Sequence, residues 1–150
     1  MIESELQHAE DLLYAWLVDY REARGEIMAA QIAVVYTLIN RRDRQSWFGK
    51  TIAECAVKAW QYSSLTDPRD PQLSKAWPTL LTPAGLSCMR VADEVLRGTV
   101  SNPFPGADSY HDDSIAPPAW TKAARFCGKI GRLSFYDVDH DYEKAVTGHV

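Results

Sequence analysis

A mainly helical α+β domain is what this sequence predicts, and three observations carry the prediction. Apolar residues recur at three-and-four spacing through most of the first forty positions, the mark of amphipathic helices. A segment from Thr82 to Gly98 carries helix start and stop signals at both ends. The short β-favouring runs "DSYHD" and "RLSFYDV" fall late in the chain. With 150 residues, 46% hydrophobic and 24% charged, the chain is long enough for one packed core, so a single domain is expected over residues 1–138, followed by a polar tail, "DHDYEKAVTGHV", over 139–150.

The first helix is expected to start after Ser4 as N-cap, bury Leu6, Ala9, Leu13, Trp16, Leu17 and Tyr20, and run to about Arg21. A second helix has Ile27, Ala30, Gln31, Val34, Val35, Leu38 and Ile39 on one face, with "NRR" suited to its C-terminus. A shorter helix is expected within "TIAECAVKAW". The fourth opens on Thr82 as cap with Pro83 in its first turn and closes on Gly98. A final helix is expected after Pro117-Pro118, reaching about Cys127. Between these elements lie two long irregular stretches, Gln61 to Leu81 and Thr99 to Ala116; their aromatics Tyr62, Trp77, Phe104 and Tyr110 argue for ordered, functional loops.

Composition removes several function classes. The net charge is -4, and the one basic run, "NRRDR", reads as a solvated helix end, so no nucleic-acid partner is expected. The acidic N-terminus lacks the pattern of a signal peptide, which predicts synthesis in the cytoplasm. No run approaches the roughly 20 apolar residues that span a bilayer, so no stable membrane insertion is expected. Cys55, Cys88 and Cys127 are odd in number and widely spaced, which suits buried free thiols. His8, His111, His140 and His149 show no metal-ligand spacing, and no nucleotide-binding or acyl-transfer motif is present; neither metal nor cofactor is expected.

The segment "REARGE", Arg21 to Glu26, is where chemistry is most plausible. If the first helix continues through Glu22, that carboxylate lies roughly 160–180° from the main apolar stripe and in line with Val18 and Ala15. A partly desolvated carboxyl there could hold its proton to higher pH, as a general acid needs. A solvated side chain paired with Arg21 or Arg24 fits the pattern as well and is the commoner fate of a charged turn residue. Glu26 is either a second carboxylate or a helix-start acid complementing the dipole of the second helix. Gln31, polar on an apolar face, is expected to hydrogen-bond the Arg21 to Glu26 segment.

Taken in order, "EARGE", "MAAQIAVVYTLINRR", "WQYSS", "GADSYHDDSIAPPAW" and "IGRLSFY" resemble the signature of the SleB/CwlJ-type cell-wall hydrolases, over about Leu12 to Tyr136. The resemblance implies a lysozyme-like helical domain with a small β-hairpin. It also implies cleavage of peptidoglycan glycan strands between N-acetylmuramic acid and N-acetylglucosamine, usually by lytic transglycosylation. Glu22 matches the first Glu of the signature, taken as the catalytic acid, with Glu26 as candidate second carboxylate and Gln31 in support. Gln61, Tyr62, Ser63, Tyr110 and His111 match motif positions implied to bind substrate. The chain departs from the signature at Arg21, where Gly is common, and in "DSYH"; the charge of Arg21 would oppose the effect of burial on Glu22.

The expectation is a monomeric, metal-independent lytic transglycosylase, used as an endolysin that reaches the wall once the membrane is permeabilised. The alternatives are a lysozyme-type hydrolase, an N-acetylmuramoyl-L-alanine amidase of the same family, or a non-catalytic peptidoglycan-binding or virion structural protein.

Overall fold

The computed structural model describes residues 2–58 and 79–139. Four helices and one small sheet make up the described part: α1 (Ile2–Ala23), α2 (Met28–Arg44), α3 (Ile52–Val57), α4 (Pro83–Arg97), β1 (Ser109–Asp112), β2 (Arg125–Ile130) and β3 (Leu133–Asp137). Among the described residues no helix is long and apolar enough to cross a membrane.

Helix α1 runs past Arg21 to Ala23, so Glu22 is helical. Its expected apolar stripe is only partly used: Leu6 is 64% and Leu13 40% exposed, because the N-terminal half of the helix projects beyond the core. From Ala15 to Asp19 the helix is enclosed on all sides, with Ala15, Trp16, Leu17, Val18 and Asp19 all buried. Trp16 supports this packing with a buried hydrogen bond from Nε1 to the Gly85 carbonyl, 2.9 Å away on α4. Gly85 is required there, since a Cβ would collide with the carbonyls of Thr79 and Leu80. The caps of α4 are those the sequence predicts: Thr82 Oγ1 accepts from the Gly85 N–H, and Gly98 closes the helix at φ 71°.

Helix α2 is the element that joins the halves of the domain. Its apolar face, Ala30, Val34, Val35 and Leu38, lies in the core, while Ile27 sits outside as an exposed N-cap. Its polar face orders the stretch that follows α4. Tyr36 donates to the Val100 carbonyl, Asn40 to those of Phe104 and Ala107, and Arg41 to that of Asp108. Arg44 donates to the Asp108 and Asp137 carboxylates at 2.5 and 2.8 Å. This corrects the reading of "NRRDR" as a solvated helix end: Arg41 is 2% exposed, and the Arg44 side chain 5%. Their partners lie more than sixty residues along the chain, beyond the reach of local pattern.

The sheet is antiparallel in the order β1-β3-β2, with Tyr110 opposite Phe135 and His111 opposite Ser134. Gly131, at φ 58°, lies in the tight connection between β2 and β3. The final helix expected to reach Cys127 is absent: a 3-10 turn at Ala119–Lys122 gives way to β2. Pairing with β3 overrides the helix-forming residues of that stretch, and Gly128 lets the Phe104 ring lie against the strand, where any Cβ would collide with it. Leu133 and Phe135 point into the core, and Phe104 and Tyr110 pack on Phe135.

Candidate active site

Glu22 occupies the last turn of α1 and is half-buried, above the fully buried column of Val18 and Ala15. The helix ends one residue later and the chain turns into α2 through Arg24, Gly25, Glu26 and Ile27. Three sets of contacts hold that turn. Glu26 N–H donates to the Ala23 carbonyl at 2.9 Å. Arg24 folds back over the Tyr20 ring, 4.8 Å from its centroid, and donates to the Tyr20 carbonyl. Gln31, 6% exposed, sends Nε2 to the carbonyls of Arg24 and Glu26 at 3.4 and 3.1 Å, as expected of a lone amide on an apolar helix face.

Glu26 is engaged elsewhere. Arg132, beside the turn between β2 and β3, donates to its Oε1 at 2.8 Å and lies 3.8 Å from Asp112 at the end of β1. One guanidinium thus ties the turn after Glu22 to the strand that carries Tyr110 and His111.

Those two residues do not act as a pair on one surface. Alternation along β1 puts them on opposite faces of the sheet. Tyr110 packs toward Phe135 on the core side; His111 is buried on the other face, beneath the loop that follows the strand, with Nε2 3.1 Å from the Ile115 carbonyl. Asp112 and Asp113 are held below the ordinary carboxylate range, Asp112 chiefly by hydrogen bonding to Ser114 and Asp113 chiefly by hydrogen bonding to Ser134. Gln61, Tyr62 and Ser63 lie outside the described residues. Among the described residues, no group of three His, Cys, Asp or Glu side chains converges as a metal site would require.

Sequence reasoning missed Asp19. Three residues before Glu22 on the same helix, it is 0% exposed and rests against the thiol of Cys88 on α4. No well-formed hydrogen bond reaches either carboxyl oxygen among the described residues. Burial pushes its pKa well above the usual value, and the thiol contact offsets this only in part. Burial likewise raises Cys88, to about 12. The signal was an Asp in the otherwise apolar run "AWLVDY", at a position a fully enclosed helix must bury.

The Cell Wall Hydrolase family model matches residues 25–136, three quarters of the chain. The match opens at Gly25, inside the turn just described, and closes at Tyr136 in β3. No curated protein and no solved structure is similar enough to count as a match.

Proposed function

Because this chain belongs to the cell-wall hydrolase family, its substrate is bacterial peptidoglycan, and we propose that it cleaves the glycan strand as a lytic transglycosylase with Glu22 as general acid and base. The observation that carries the proposal is the setting of Glu22: a half-buried carboxyl at a helix end, on a buried apolar column, before a turn fixed from three sides. Such a group is partly shielded from water yet reachable by a ligand, as protonation of a glycosidic oxygen requires.

In the proposed reaction the Glu22 carboxyl gives its proton to the bridging oxygen as the bond from C1 of N-acetylmuramic acid to that oxygen breaks. N-acetylglucosamine leaves with a hydroxyl group. The carboxylate then takes the proton of the muramic acid 6-hydroxyl as that oxygen bonds to C1, closing a 1,6-anhydro ring and restoring the acid. No water is consumed and no second carboxylate is needed. The ion pair of Glu26 with Arg132 suits this economy, since it gives Glu26 a structural task. Tyr110, on the edge strand, is a candidate sugar contact, and cell lysis of a bacterial host is the proposed setting.

Mass spectrometry of fragments released from purified peptidoglycan tests the reading. Anhydromuramic ends are expected from the wild type, and Glu22→Gln should lose at least about a hundred-fold in rate with its unfolding midpoint unchanged. Reducing muramic ends would replace the reading with a lysozyme-type hydrolase and return Glu26 to candidacy. Intact glycan with freed peptides would replace it with an amidase, and wild-type turnover by Glu22→Gln would remove Glu22 from the site.

A further inference from the structure

We propose that the cleft at the C-terminal end of α2, floored by Trp47, is a second glycan-binding site that holds an uncut repeat of the same peptidoglycan polymer at a distance from Glu22. The inference rests on the peptidoglycan substrate of the reading above and not on the assignment of Glu22.

The loop from α2 to α3 is held by its own hydrogen bonds. Gln45, at φ 56°, sends Nε2 to the carbonyls of Arg42 and Lys50, and its own carbonyl accepts from Lys50 Nζ. Glu54 Oε2 accepts from the Lys50 N–H, and at Gly49, φ 134°, a Cβ would collide with the Cys55 nitrogen. On this frame Phe48 is buried, with the Arg41 guanidinium 4.8 Å from its ring centroid, and the Trp47 ring stacks on Phe48 at 4.0 Å. That stack uses one face of the indole, yet Trp47 is still 50% exposed, as is Val57 on α3. Both line a cleft of about 710 Å³, within the roughly 300–1,000 Å³ of small-ligand sites. Lys50 and Lys58 outnumber Glu54 at its rim and make it cationic in a chain of net charge -4, and Lys58 has no ion pair among the described residues. The exposed face of an indole is electron-rich and receives the C–H face of a pyranose ring. Ammonium groups beside it attract carboxylates, and Glu54 accepts from hydroxyls. Sugar rings with carboxylates close by are the chemistry of the glycan and peptide repeat of peptidoglycan. Glu22 and the cleft lie toward opposite ends of α2, whose 17 residues span about 25 Å. A single repeat cannot fill both places, but a polymer can, so the second contact raises the local concentration of cleavable bonds and retains the enzyme on the wall.

The test uses the full chain and reads binding without turnover. The NMR signal of the Trp47 indole N–H, identified by its loss in Trp47→Phe, should shift on titration with a soluble muropeptide, a disaccharide carrying its peptide stem. Lys58→Gln should weaken the affinity read from that shift about two-fold, and by less in high salt. In co-sedimentation with purified insoluble peptidoglycan, Trp47→Ala should bind about ten-fold more weakly than the wild type, and Trp47→Phe, which keeps a ring to stack on, should recover most of the loss. A Trp47 signal unmoved by muropeptide, or wild-type wall affinity in Trp47→Ala, overturns the proposal. So does a smaller oligomer in Trp47→Ala with wall binding intact, which would give the cleft to a second copy of the chain. Should Trp47→Ala fail to fold, the indole shift decides. Failure of the wild type to sediment with any wall would sink the peptidoglycan reading and the proposal with it, whereas turnover by Glu22→Gln would touch the assignment of Glu22 alone.

Discussion

Two sets of buried carboxyls lie toward opposite ends of α2, and the protein treats them in opposite ways. At the C-terminal end, Asp108 and Asp137 are both 0% exposed, and Arg44 bridges them while Arg125 adds a second donor to Asp137. Asp108 also accepts from Ser109 and from the N–H groups of Val138 and Asp139. At the N-terminal end, Asp19 is equally buried and has a thiol for company. Burial raises the pKa of both Asp137 and Asp19, but at Asp137 the charges of Arg44 and Arg125 push the other way. The difference teaches that burial alone does not fix the task of a carboxyl. With cations it becomes a staple that fastens a sheet to a helix; without them burial favours its protonated form.

The comparison can be broken most severely at the staple. Arg44→Met should destabilise the fold by about 3–5 kcal/mol, because it leaves the buried Asp108 without its cation and Asp137 with Arg125 alone; denaturant unfolding at neutral pH measures it, and a loss near zero would mean that the remaining hydrogen bonds suffice to hold both carboxyls. A smaller and pH-dependent effect is expected at Asp19. With its folded pKa raised above the unfolded value of about 3.9, the native state holds the proton more tightly, so this contribution is complete below that pH and is lost as pH rises toward the folded pKa. Asp19→Asn removes the slope, and its midpoint should therefore gain on the wild type between about pH 4 and pH 8. A constant difference across that range would contradict a neutral Asp19. The smallest effect belongs to Glu26, whose side chain is largely covered but whose partner Arg132 is 58% exposed: Glu26→Gln should move the midpoint little and should retain activity, since an ion pair open to water on one side is screened and contributes little. A loss of turnover matching that of Glu22→Gln would promote Glu26 to a catalytic carboxylate.

Features written in local sequence were legible. Thr82, Pro83 and Gly98 announce α4 because caps act within a few residues. Gln31 announces its partners because an amide on an apolar face must find some. Features that depend on distant partners were not legible. The burial of Arg41 and Arg44 needs Asp108 and Asp137, and the strand character of Arg125–Ile130 needs β3 and the Phe104 ring over Gly128. The exposure of Leu6 and Leu13 shows the converse, a helical stripe that finds no cover among the described residues. For the candidate site, the turn that follows Glu22 could be read from "REARGE", and the strand expected at "DSYHD" already puts Tyr110 and His111 on opposite faces, whereas which of those faces the fold buries depends on β3.

The polar face of α2 also sets an order of events in time. Asn40 reaches Ala107 across 67 residues and Arg44 reaches Asp137 across 93, so neither contact can form until most of the chain exists. Contacts of such separation come late and slow folding. A nascent chain can pack the buried faces of α1 and α2 while Asn40, Arg41 and Arg44 are still hydrated, until the stretch up to Asp108 draws Asn40 and Arg41 inward and β3 completes the pairing of Arg44. The meeting of Arg132 with Glu26, 106 residues apart, waits on the same late stretch of chain, so the brace on the turn beside Glu22 cannot precede it.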